Sequence, residues 1–402
     1  MPARRLIALL CVMGAANTVS IGAFPALLPE LAAAGGLADW QLGAVAGAFG
    51  LARMIANVPA GLFMSNHLTH AVLVAPAFLL AGALVMAAGG TFVTLLMGRV
   101  LMGVGHTLST LGGLTALLRY RAGSRLASSL GALEFAAMLG VLSGAALLSL
   151  LPRSMPWHTA WLLACAPLAT GLLLLPALRR ALPRTDPDPS RPLFARTERA
   201  APGQGDGSLD RPVGPGGRDT RLALLATIAG GAVAVSYATV EQFVIPLRGS
   251  REFGLDRAGI AQLLMLSQAV DLVALLPLGA LADRRGTPLV LGGVLLVFSA
   301  ALALIGFGGL PLMVTGCALF GLSMAGWMLP LGILRSATPP AQVAWRTALY
   351  RVSVDGGMFV GPFVAGLLTA RHVGVLPVVM TVVLATVGLA LLRVGRVTEL
   401  AR

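Results

Sequence analysis

The sequence predicts an all-α integral membrane protein made of two pseudo-symmetric bundles of six helices. Three observations carry that prediction. The 402-residue chain is 57% hydrophobic and only 11% charged, with a mean hydropathy of +0.86, too apolar for a soluble domain of this length. Cutting it at turn residues and charges leaves twelve apolar runs of bilayer-spanning length, about 20 residues each. A pattern also occurs twice: GLFMSNHLTHA at 61–71 returns as GALADRRGTPL at 279–289. At the same offset Leu37 maps onto Leu255, Leu42 onto Ile260, Gly98 onto Gly316, Gly103 onto Gly321 and Arg53 onto Asp271. Doubled bundles of this kind suit a binding site at the interface of the repeats.

Taken in order, the first six runs lie at 6–29, 40–64, 71–90, 92–118, 126–151 and 157–178. The second six lie at 221–246, 257–282, 288–308, 311–334, 342–369 and 373–393. Run one, preceded by Arg4 and Arg5, has the basic and apolar regions of a signal peptide, yet removing it leaves the first half one helix short of the second. It is therefore expected to be a span. The chain divides into an N-terminal bundle at 1–180, a linker at 181–220 and a C-terminal bundle at 221–402. The linker (PRTDPDPSRP, APGQGDGSLDRPVGPGG) has almost nothing to bury and is expected to be disordered.

The net charge of +13 comes from a chain whose 29 basic residues are all Arg. They form no stripe and do not interleave with aromatics, which argues against nucleic acid as a partner. They read instead as topology signals. With the N-terminus inside, only Arg153, Arg248, Arg251, Arg257 and Arg371 fall outside, so both termini are expected in the cytoplasm of a cell (inner) membrane protein. Cys11, Cys165 and Cys317 sit inside apolar runs and offer neither a disulfide framework nor metal-ligand spacing. With no Lys, the chain cannot form a phosphate-binding G-x-x-x-x-G-K-S/T loop, and it shows neither H-E-x-x-H nor G-x-S-x-G. An enzyme is not expected, nor a bound cofactor. A non-transporting receptor would need a soluble domain that neither the linker nor the tails can fold. A monomer in the bilayer, with a small-molecule substrate, is the expected form.

Runs three, six, nine and twelve have no acid or Arg in their interiors, whereas runs two, four, five, seven, eight and eleven hold Arg53, Arg99, Glu134, Glu241, Asp271, Arg351 and Asp355. A charge at the bilayer centre costs roughly 2.5 to 3.5 kcal/mol even on the lenient insertion scale. These side chains must face a polar interior, with every third run acting as a lipid-facing support.

Gly279, Asp283, Arg284, Arg285 and Gly286 spell G-x-x-x-D-R-x-G, and Arg99, Gly103 and Gly105, after Gly98, spell R-x-x-x-G-x-G. Asp355, Gly357, Gly361, Pro362 and Gly366 add a glycine–proline pattern in run eleven. On these motifs the chain resembles a twelve-helix member of the major facilitator superfamily, over all but its linker. The first copy of the loop motif departs from the pattern: it keeps Gly61 but has Ser65, Asn66 and His67 where Asp, Arg and Arg stand in the second.

The resemblance implies alternating access, with the loop motifs acting in gating and a central cavity lined by runs one, four, seven and ten. Its polar and aromatic candidates are Asn17, Arg99, His106, Ser109, Thr110, Tyr237, Glu241, Gln242 and Trp327, with Glu241 near the outer end of run seven. It also implies that run two packs on eleven and five on eight. Arg125 precedes Glu134 by the same spacing as Arg346 precedes Asp355, which makes Glu134 and Asp355 equivalent positions. Arg53 is then expected to meet Asp355, and Glu134 to approach Asp271. Facing carboxylates resist joint ionisation, so Glu134 or Asp271 is the expected proton carrier. Arg351, one turn before Asp355, is a further expected partner. The function implied is secondary active, proton-coupled transport of a small organic anion or a lipophilic compound, driven by the proton gradient. A proton-antiport efflux pump for drug-like compounds is the alternative. Run five, with Gly131, Gly140 and Gly144 but no proline, lacks the pattern usual in antiporters.

Overall fold

The computed structural model describes residues 2–120, 126–182, 217–339, 342–369 and 375–399. Most of the expected linker, together with Arg121, Arg125 and Arg371, lies outside the described residues. Among the described residues the regular structure is helical throughout, without strands.

Where the sequence supplies a strong stop, the helices end; where it does not, they run on. α1 spans Pro2–Gly35. α2 spans Asp39–Ala88, 50 residues that join runs two and three without a loop. Its two limbs meet at His67, the one non-helical residue inside it, with φ −132° and ψ 42°. The chain has Ser65-Asn66-His67 here, with no glycine or proline to terminate the first limb. At the equivalent place in the second half Gly286 adopts φ +87°, open to glycine at little cost, and ends one helix while the next begins at once. α3 spans Phe92–Tyr120 and α4 spans Leu126–Leu150.

Run six, expected as one helix, is three short ones: α5 (Trp157–Cys165), α6 (Leu168–Leu173) and α7 (Leu175–Ala181). The breaks fall at Pro167 and just before Pro176, since a proline lacks the N–H that would continue the preceding turn. Run seven becomes α8 (Gly217–Thr239), a π-helical turn at Val240–Val244, and α9 (Ile245–Phe253). α10 spans Arg257–Arg285, and its first turn is capped by the Asp256 carboxylate, which accepts from the Gly259 N–H at 2.9 Å. α11 spans Thr287–Phe307. Run ten breaks near Gly326 and Pro330 into α12 (Leu310–Met324) and α13 (Leu329–Ser336). α14 (Val343–Thr369) and α15 (Val375–Glu399) complete the chain.

Among the described residues, eleven stretches are long and apolar enough to cross a membrane. One of them is α2, whose limbs correspond to two of the twelve runs. The protein is a multi-pass membrane protein. Packing within each half is close because small residues let backbones touch: α1 meets α4 where a Cβ on Gly22 would strike the Val141 carbonyl, and one on Gly144 the Val19 carbonyl. α8 packs on α14 and α11 on α15, with Gly292 against Gly388. Between the halves, α2 lies along α14 and α4 along α10.

Candidate functional site between the two halves

The α2–α14 contact places Arg53 Nη2 2.8 Å from Asp355 Oδ1, with the Asp355 side chain wholly buried. Asn57, one turn beyond Arg53 on the same face, donates to Asp355 Oδ2. Arg53 also reaches the Met358 sulfur at 3.5 Å and stands 5.8 Å over the Phe49 ring. The expected partnership of Arg351 with Asp355 is not what forms. Both carboxylate oxygens are taken by α2 side chains, and no ion pair between Arg351 and Asp355 is described. Glu134 and Asp271 lie within each other's field across the α4–α10 contact, without a described hydrogen bond between them.

Arg99 is not on an open cavity wall. Its residue is 2% exposed, and the guanidinium is clasped between Phe24 at 3.9 Å and Phe49 at 4.8 Å. Phe24 is held in turn edge-on to Trp161, whose indole N–H donates to the Ala83 carbonyl. Nη2 of Arg99 donates to the Ala46 carbonyl at 3.3 Å and, more loosely, to Gln242 Oε1 at 3.5 Å. Nε and Nη1 have no hydrogen-bond partner. Among the described residues no carboxylate lies within ion-pair distance of it.

Further along α3, His106 Nε2 lies 3.2 Å from Thr110 Oγ1, with its ring against Phe49. Asn17 Nδ2 donates to Ser109 at 2.8 Å, leaving its own Oδ1 unpartnered. From the other half, the Tyr237 hydroxyl donates to Glu241 Oε1 at 2.9 Å while its ring packs on Trp327 and Phe320. Glu241, expected near the outer end of run seven with rim and binding roles both open, lies in the π turn and is 3% exposed, and Gln268 and Asp271 of α10 lie alongside it.

A second set of charges closes the end away from the chain termini. Arg257, only 4% exposed, crosses to the N-terminal half, where it meets Glu30 at 3.1 Å and the carbonyls of Pro152 at 2.7 Å and Met155 at 3.3 Å. Arg251 binds Asp39 through two hydrogen bonds of 3.0 and 2.6 Å, and Arg153 pairs with Asp256. In the same region α2 and α14 touch through glycine: a Cβ on Gly43 would strike the Pro362 carbonyl, and one on Gly47 would come 2.6 Å from that of Phe359. Toward the other end the contacts thin out. A Cβ on Gly61 or Gly279, the paired glycines of the repeated motif, would meet nothing within 4 Å. Asp283, Arg284 and Arg285 are exposed there at the C-terminus of α10, where two cations suit the helix dipole.

Sequence reasoning found Arg53, Asp355 and the acids, and missed Phe24, Phe49, Asn57, Gln268 and the Arg257–Glu30 and Arg251–Asp39 pairs. Asn57 was within reach of helical spacing from Arg53. The outer pairs join loop-flanking residues far apart in the chain and leave no local signal. Among the described residues no cluster of His, Cys, Asp and Glu could hold a metal ion.

A doubled helical bundle with charge-bearing helices at the seam and one end closed defines a membrane transporter fold. The chain belongs to the Major Facilitator Superfamily, whose family model matches residues 6–249 and again 222–401. Its fold is shared with the crystal structure of the nucleoside transporter NupG, at 12% identity over 97% of this chain and 98% of that one, TM-score 0.70. A POT family transporter in complex with 5-aminolevulinic acid aligns at 13% identity over 98% and 95% of the two chains, TM-score 0.75. The human organic anion transporter MFSD10 (TETRAN) aligns at 18% identity over 97% and 100%, TM-score 0.65. No curated protein matches the chain by sequence.

Proposed function

We propose that the protein is a proton-coupled secondary transporter that carries a small organic anion by alternating access. The observation that carries this reading is the one-sided closure. The cross-half ion pairs and glycine contacts lie between the Arg257 end and the Arg53–Asp355 pair, while the repeated-motif glycines at the other end face open space. A seam of this kind can rock about its middle, which is how paired bundles expose one site to two sides in turn. The Arg bias of the sequence puts the open end in the cytoplasm.

The anion preference rests on Arg99, a buried guanidinium with two nitrogens free to donate. A carboxylate is the group such a fork accepts best. Proton coupling rests on Glu134 and Asp271, two acids within the spans on the contacting helices α4 and α10. A second reading, efflux of lipophilic compounds, is favoured by one feature. An apolar crevice of about 320 Å³ lies between the limbs of α2 and α3, lined by Ala56, Pro59, Phe63, Val74, Phe78 and Leu108 among others.

The test is proton movement in liposomes that contain the purified protein and an entrapped pH-sensitive dye. Monocarboxylates, dicarboxylates, lipophilic cations and neutral lipophiles are added in turn. Carboxylate-driven dye response that disappears in Asp271→Asn or Glu134→Gln supports the proposal. Carboxylate flux without proton movement would exclude the coupling, and a response to lipophilic cations alone would replace the anion reading by the efflux one.

A further inference from the structure

Arg99 poses an energetic question that its surroundings do not answer. A buried cation without a counter-ion costs several kcal/mol, and two aromatic faces with one good carbonyl contact offset only part of that. Glu241 poses the complementary question. It is equally buried, and its named neighbours are a tyrosine, an amide and a second acid. The two groups are kept apart by one residue of register, because the side chain that touches Arg99 is Gln242, next to Glu241 in sequence.

That residue of register lies at the weakest point of the helix. Val240–Val244 is a π turn, closed by the Ile245 N–H donating to the Val240 carbonyl five residues back. A π turn is one residue more than an α-helix needs, and such turns gather at functional sites. Pro246 supplies the local cause: it has no N–H to offer the carbonyl four residues earlier, and its ring crowds that carbonyl. The extra residue can move along the helix to a place that a residue other than Pro246 closes, with the Leu247 N–H donating to the Gln242 carbonyl. Passing it into α9 would carry the segment around Glu241 forward by up to one helical step, about 100° of rotation and 1.5 Å of rise. Glu241 then turns toward the place Gln242 now occupies.

We infer that Arg99 and Glu241 are ion-pair partners in a second state of the bundle, reached when the π turn of the seventh span migrates past Pro246 into α9. In the described state Gln242 is a neutral placeholder and the charges stand apart; in the other they meet. The inference rests on the alternating-access reading and gives it a named switch. It also explains why a glutamine and a glutamate stand side by side at the seam, one for each register.

The test uses the full chain in lipid nanodiscs, in a cysteine-free background. Nitroxide labels go at Ala34 and Phe307 to report the outer end, or at His70 and Ser336 to report the inner end, all exposed and outside the site. Electron–electron double resonance reads the fraction in each state. Two distance populations are expected in the parent. Glu241→Gln should enrich the described state at least about fivefold, and in an Arg99→Gln background the same change should move the populations less than about twofold, because its partner is already gone. Gln242→Glu, which leaves Arg99 in place and supplies a carboxylate in the present register, should also enrich the described state. Equal shifts from Glu241→Gln in both backgrounds, or no effect of Gln242→Glu, would overturn the exchange while leaving alternating access standing. A single population in the parent and every variant would instead remove the alternating-access reading itself.

Discussion

Asp355 on α14 gives one carboxylate oxygen to Arg53 at 2.8 Å and the other to Asn57, so a single buried acid ties two successive turns of α2 to the opposite half. Both partners come from one face of one helix, which makes the acid the hub. Asp355→Asn leaves Arg53 buried and uncompensated, a loss of about 3 kcal/mol or more by analogy with other broken buried pairs. Asn57→Ala removes one hydrogen bond to a charged group, about 1.5 to 3 kcal/mol, and keeps the ion pair. Thermal unfolding of the detergent-solubilised protein should show the larger fall for Asp355→Asn. Equal falls would mean that Asn57, and not the ion pair, holds the seam.

Arg257 should behave as the latch of the outer end. It is the most buried of the three cross-half arginines there, and it binds two main-chain carbonyls besides Glu30. Arg257→Met keeps the bulk and removes all of these bonds. The expected result is faster labelling of a cysteine placed at Ala38 by a membrane-impermeant maleimide, as the outer end spends more time open. The Arg153–Asp256 pair, whose arginine is far more exposed than Arg257, should matter less and should weaken with salt. Unchanged labelling in Arg257→Met would show that glycine packing alone keeps this end shut.

Glycine contacts within a half and between halves should respond differently to the same change. Gly144 touches Val19 inside the N-terminal bundle, whereas Gly43 and Gly47 touch α14 across the seam. Gly144→Val should lower thermal stability sharply, since α1 and α4 must separate for the added atoms. Gly47→Val should cost far less stability and should open the outer end instead, raising maleimide labelling at Ala38. A seam that must part can yield; a bundle that moves as a unit cannot. Similar stability losses for both would argue that the seam is as rigid as the bundles.

The twelve spans and the doubling are legible in the sequence, because length, periodicity and a constant offset are local or nearly local signals; the Arg53–Asp355 meeting follows only with the helix packing that the family resemblance implies. The sequence did not show that α2 runs on through His67, since the absence of a stop is hard to read from one polar cluster. Nor did it show the breaks at Pro167 and Pro176 as helix ends within a run. Pro246 could have flagged the π turn, and with it the burial of Glu241. The position of Arg99 depended on Phe24 from α1 and Phe49 from α2 closing over it, and three helices meeting at one guanidinium leave no spacing to count. The outer latch leaves no local signal for the same reason: by sequence Arg257 reads as a topology signal, and only the fold brings Glu30 and the Pro152–Met155 turn beside it.

Gly61 and Gly279 occupy the same place in the two copies of the repeated motif, and neither needs its lack of a side chain in the described state, where the space around it is empty. Neither has a positive φ that would demand glycine. The remaining reason is another state, in which α2 near its kink and the C-terminal end of α10 close on their neighbours as Gly43 and Gly47 already do at the outer end. Gly61→Leu or Gly279→Leu should then leave thermal stability within about 1 kcal/mol, the helix propensity of leucine exceeding that of glycine. Each should also hold the inner end open, read as slower labelling at Ala38 than in the parent. If labelling at Ala38 stays at the parent rate in both variants, the inner end does not close through these glycines.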